Sequence, residues 1–149
     1  MNINDFFIVD NWYKVKKINL NVYCVTEPGH VSFYIIKIKN EAVFIESGLG
    51  LCENMAKKLL RQLAIETFDV ICTHAHCDHI GLNYLARNVY ISQKEWIKYT
   101  QQNEREQLYS YIKISKYHMQ WPNVNLEEIK YKEWQPTQFI NDGELLDFE

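Results

Sequence analysis

The sequence predicts a mixed α+β chain, and three observations carry that expectation. Segments of the first forty-six residues are rich in β-branched and aromatic side chains. After Ser47-Gly48-Leu49-Gly50 the apolar spacing lengthens to a helical period. A short apolar run then follows before the next helical stretch, which is the order of a strand–helix–strand unit.

Taken in order, residues 21–27 (NVYCVTE) and 31–39 (VSFYIIKIK) are expected strands, separated by the Pro28-Gly29 turn signal. Residues 42–46 (AVFIE) form a further strand beyond a polar turn. Connections this short cannot cross over, so the three predict an antiparallel meander. From Leu51 to Ala64, Met55, Leu59, Leu60 and Leu63 fall on one helical face. Residues 68–73 (FDVICT) are a buried strand, placed parallel to 42–46 by the intervening helix. Val89 to Ile91 is a short strand. Ser92 and Glu95 make an S-x-x-E start for a helix running to about Gln101. A further helix is expected from Glu104 to about His118. The segment from Thr137 to Phe148, turning at Asp142-Gly143, predicts a hairpin.

Composition narrows the function classes. The chain has 149 residues, 47% hydrophobic and 23% charged, which is one ordinary globular domain and excludes disorder or a fibrous repeat. A net charge of −3 leaves no electrostatic footprint for nucleic acid. No apolar run has the length of a membrane helix, so no membrane association is expected. The N-terminus lacks a basic stretch ahead of an apolar one, and the expected location is cytoplasmic. Cys24, Cys52, Cys72 and Cys77 include no C-x-x-C pair, so free structural thiols are expected in that compartment.

Chemistry concentrates at Thr73-His74-Ala75-His76-Cys77-Asp78-His79-Ile80-Gly81, where three of the five histidines lie within six positions. Three imidazoles and a carboxylate are a donor set for zinc, iron or manganese. The cluster follows a buried strand, at the end of the sheet where α/β proteins hold ligands. Residues two apart in extended chain face one way, so His74 and His76 can grip one metal. Asp78 and His79 follow as the chain turns and can face a second point nearby. Elsewhere, His30 in E-P-G-H is expected as a solvated turn residue. Trp96, Tyr99 and Tyr109 are expected to pack.

H-A-H-C-D-H, preceded by I-C-T and followed by I-G, resembles the H-x-H-x-D-H signature of the metallo-β-lactamase-fold hydrolases. The stretch NVYCVTEPGHVSFYIIKIKNEAVFIESGLG resembles that family's opening strands and its I-D-T-G turn, and NDGELLDFE resembles its D-G-D-x-L-x-L-G stretch. The nearest resemblance within it is to glyoxalase II and the lactonases. The resemblance implies an αββα sandwich, of which this chain would supply the first sheet with its helices and the start of the second sheet. It implies two divalent metal ions, zinc foremost, with His74 and His76 at site one and Asp78 and His79 at site two. Hydrolysis of an ester, thioester or lactone by a metal-bound hydroxide is the implied activity, on a small-molecule substrate. Asp78 would orient the nucleophile or take its proton.

Two departures matter. Glu46 stands where the family has an aspartate that supports a metal histidine from outside the coordination sphere. The family's later ligands, a third site-one histidine, a bridging aspartate and a last histidine, have no counterpart in matching context. Partial metal occupancy is therefore expected. The competing reading is an inactive truncated domain with an assembly or metal-binding role. Self-association, or pairing with a chain carrying the missing half, is expected of the uncovered sheet.

Overall fold

A computed structural model describes residues 6–9, 11–28, 31–118 and 129–148. His30 lies outside them. The described strands form one eight-stranded sheet in sequential order. They are β1 (Phe6–Val9), β2 (Tyr13–Lys17), β3 (Val22–Thr26), β4 (Ser32–Ile38), β5 (Glu41–Ile45), β6 (Thr67–Ile71), β7 (Asn88–Ile91) and β8 (Gln138–Phe139). β1 to β5 pair antiparallel, as short turns dictate. β6, β7 and β8 then join in parallel. The expected meander is present and extends upstream through the β1–β2 hairpin. Among the described residues the α-helices are α1 (Glu53–Gln62), α2 (Gln93–Gln101) and α3 (Glu104–His118).

One sheet face is covered. Val15, Val25, Phe33, Ile35, Phe44 and Val70 are fully buried there, in one cluster with Met55, Ala56 and Leu59 of α1. Phe33, Phe44 and Phe68 stack across β4, β5 and β6, with ring centroids 5.6 and 4.3 Å apart. A second cluster joins Leu108 and Ile112 of α3 to Leu49 and Cys77. On the opposite sheet face, Tyr34 is exposed and Val22, Ile36 and Ile45 are only half-buried.

The terminal hairpin is corrected. The Asp142-Gly143 turn forms, with Glu144 N–H donating to the Asn141 carbonyl at 3.1 Å, but residues 144–148 are not a strand. The first arm, β8, pairs with β7 instead, at Tyr90↔Gln138 and Ile91↔Phe139. β7 offers an open row of backbone donors and acceptors, and β8 satisfies it. The return arm brings Phe148 edge-on to Tyr90, 5.6 Å between centroids. The described strands thus belong to the first sheet. Among the described residues no helix is long and apolar enough to cross a membrane.

Candidate metal centre

Parallel pairing puts the carboxyl ends of β5 and β6 at one edge, so two sequence-distant loops leave the sheet side by side. Glu46 N–H donates to the Ile71 carbonyl at 3.0 Å, and Ser47 N–H to the His79 carbonyl at 2.8 Å. Ser47 Oγ donates to Asn83 Oδ1 at 2.7 Å and accepts from Leu82 N–H. Gly81 N–H donates to the Gly48 carbonyl at 2.7 Å. The two backbones nearly touch: a Cβ on Gly81 would stand 2.0 Å from the Leu49 carbonyl carbon.

Beneath this junction lies Glu27, at the end of β3 and 2% exposed. Its Oε1 accepts from Leu49 N–H at 2.7 Å, and its carboxyl also accepts from Gly50 N–H. Burial pushes its pKa up to about 8 against the pull of those donors. A Cβ on Gly48 would collide with Glu27 Oε1. Glycine at 48 is what lets the carboxyl reach the loop.

The motif turns as its order suggests. His74 and His76 share a side, their rings 4.7 Å apart at 82°. Ala75 and Cys77 point inward and are buried. His79 N–H donates to the His76 carbonyl at 2.9 Å, closing a turn that returns the His79 ring to 4.3 Å from that of His74. Asp78 Oδ2 lies 3.5 Å from His79 Nε2. His79 Nδ1 faces Glu46 Oε2 at 3.3 Å, an ion pair when the imidazole is protonated. The Glu46 carboxylate, with a smaller contribution from Asp78, holds the His79 pKa above the usual imidazole range, against the opposing effect of burial. The Cys77 thiol is pushed up to about 12, by burial and by Asp78 and Glu104, and is a neutral packing group.

Three supports escaped sequence reasoning. Thr73 N–H donates to Glu46 Oε1 at 2.6 Å, and Thr73 Oγ1 lies 2.9 Å from His74 Nδ1. Glu95 does more than its S-x-x-E spacing suggests. Ser92 Oγ accepts from Glu95 N–H at 3.2 Å as a cap should, but the Glu95 carboxylate accepts from Ala75 N–H between the two histidines. The third is Glu27. Its position ahead of Pro28-Gly29 is a turn signal and says nothing of the loop above it.

This sheet and the placement of the motif can be set against solved structures. The metallo-β-lactamase DIM-1 aligns with a TM-score of 0.51 and 14% identity, over 62% of this chain and 49% of that one. The chain has the metallo-β-lactamase fold. VMB-1 aligns at 22% identity and a TM-score of 0.49, over 62% and 49% of the two chains. The mono-zinc form of the metallo-β-lactamase FIM-1 from Pseudomonas aeruginosa aligns at 16% identity and a TM-score of 0.48, over 59% and 45%. The chain spans about half the length of the solved structures it matches. No family model and no curated protein matches it.

Within this metallo-β-lactamase fold the donor set suits a divalent cation. One donor atom each from Glu46, His74 and His79 lies within 4.8 Å of the other two. Glu46 Oε2 and His79 Nδ1 face each other 3.3 Å apart beside His74, so a carboxylate and two imidazoles meet at one point.

Proposed function

We propose that this chain carries the first part of a metal-dependent hydrolase site acting on an ester, thioester or lactone. The observation that supports this most is the convergence of His74, His79, Glu46 and Asp78 at the carboxyl edge of β5 and β6 in a metallo-β-lactamase fold. His74 and His76 would hold one ion and Asp78 and His79 a second, with zinc favoured over iron or manganese and with partial occupancy in this chain. A bound zinc would polarise the substrate carbonyl and bring the pKa of a water down to about 7. Thr73 holds His74 by its Nδ1 side. Glu95 fixes the peptide between His74 and His76. Asp78, partly exposed beside His79 Nε2, would accept a proton from the nucleophile. The four unpaired thiols agree with a cytoplasmic setting.

The remaining ligands would come from a further polypeptide segment or a second chain. Expected outcome: the 149-residue chain alone hydrolyses a panel of thioesters, esters and lactones near background, whereas its assembly with co-purifying polypeptide turns one over with zinc. Asp78→Asn should reduce that rate by about a hundredfold or more. An assembly that neither binds zinc nor hydrolyses any of them would overturn the proposal.

A second reading, an inactive domain with an assembly role, draws on the half-open sheet face around Tyr34, Ile36 and Ile45. Apolar residues grouped there favour a covering layer. Light scattering is expected to show self-association or a bound second chain, and a monodisperse monomer would count against it.

A further inference from the structure

We propose that α3 is a proton-controlled cover over the loop that bears the histidine motif, seated while Glu104 is neutral and loosened when Glu104 ionises. This goes beyond the metal reading and does not depend on it.

One spacing defines the inner face of α3. Glu104, Leu108 and Ile112 follow one another four residues apart, and among the described side chains of the helix these are the buried ones, at 5, 6 and 5% exposure. Leu108 and Ile112 cluster with Leu49 and Cys77, and Cys77 stands in the motif between His76 and Asp78. The helix therefore rests on the inward side of the motif loop. An apolar residue at 104 would complete that stripe, but the sequence places a carboxyl there. Both of its oxygens are buried without a hydrogen-bond partner. Nor is it needed as the helix cap, because Asn103 Oδ1 accepts from Glu106 N–H at 3.2 Å.

The surroundings do not compensate an ionised Glu104. The titratable groups around it are Cys77 of the motif loop, Tyr99 of α2, and Tyr131 and Glu133 of the last described segment, with Arg105 and Glu106 exposed on its own helix. Burial foremost pushes the Cys77 thiol and the Tyr131 phenol up to about 12, so both are neutral, and Glu133 is a like charge. Burial likewise pushes the Glu104 carboxyl from 4.5 up to about 7. The seated value lies above the ordinary one. Glu104 therefore favours seating fully below about 4.5, and that contribution is lost as pH rises through about 7. Two buried aliphatic side chains are a small anchor against an unpaired buried charge. Glu104 also lines an open cavity of about 730 Å³ beside Trp96, Tyr99 and Trp134, which gives the ionised group a way to water as α3 lifts.

The test is native-state hydrogen exchange on the 149-residue chain and its Glu104→Gln and Glu104→Leu variants from pH 4.5 to 8, each rate corrected for the intrinsic pH dependence of exchange. Circular dichroism checks folding, and the leucine variant serves if the glutamine variant does not fold. Glu27 titrates in all three proteins, so the ratio of parent to variant isolates Glu104. Protection of the Leu108, Tyr111 and Ile112 amides in the parent should fall by about a hundredfold relative to either variant across that range. The Phe33 and Phe44 amides of the sheet should keep a constant ratio. A ratio at α3 that stays flat with pH would overturn the proposal. So would an equal loss at Phe33 and Phe44, which would show that the whole fold, rather than the cover, answers to Glu104.

Discussion

Glu27 and Glu46 both adjoin the loop at residues 47–50, and the structure buries both, but on different terms. Around Glu27 the loop backbone closes in, and burial raises the pKa until the group is mostly neutral at pH 7. Around Glu46 two imidazoles converge, and one carboxylate oxygen is left facing His79. The first region removes the charge and becomes a brace. The second keeps a carboxylate among imidazoles at the sheet edge, the arrangement proposed above as a metal site. Residue type is the same in both, so the surroundings assign the role.

The largest expected effect breaks the brace. Gly81→Ala forces a Cβ into the Leu49 backbone, and overpacking of that kind costs about 3 kcal/mol or more where neither backbone can yield. Denaturant midpoints should fall, and zinc binding should fall with them, because the donors are held by that junction.

Next, the site should be separable from the brace. His74→Ala and His76→Ala are each expected to weaken zinc binding by about a hundredfold, with little change in denaturation midpoint. His76 is the more exposed of the two, and their rings lie 4.7 Å apart. A loss from only one of the two substitutions would show that the histidines do not share an ion. Thr73→Val, which removes the hydroxyl beside His74 Nδ1, should cost about tenfold in zinc affinity, measured by calorimetry.

The smallest effect, at acidic pH, belongs to Glu27→Gln. Glutamine imitates the neutral acid, so the variant should match the parent chain near pH 4. The folded pKa of about 8 lies above the ordinary value of 4.5, so the unfolded chain releases this proton first as pH rises. Stability from this group is therefore full below about 4.5 and declines toward about 8. Urea denaturation from pH 4 to 9 should show that decline in the parent and a flatter profile in the variant.

Much of the fold was legible because strand and helix periods are local. The strands around 21–46, the helix carrying Met55 and Leu59, and the helix begun by Ser92 all formed where their residues predict. The terminal hairpin was misjudged for a related reason. The Asp142-Gly143 turn is a local signal and it formed, but the partner of a strand is chosen by whichever edge is open, and β7 was closer to hand. The motif was legible to the same depth, since spacing placed His74 and His76 on one side.

By itself, then, the sequence determined the elements, the turn chemistry and the clustering of residues of metal-binding type, because each depends on near neighbours along the chain. Tertiary structure alone decided which donors meet. Parallel pairing of β5 with β6 laid Glu46 beside Thr73, the turn from His76 to His79 folded one imidazole back upon another, and α2 carried Glu95 to Ala75. Such convergence depends on the positions of whole strands and helices, which no local pattern encodes.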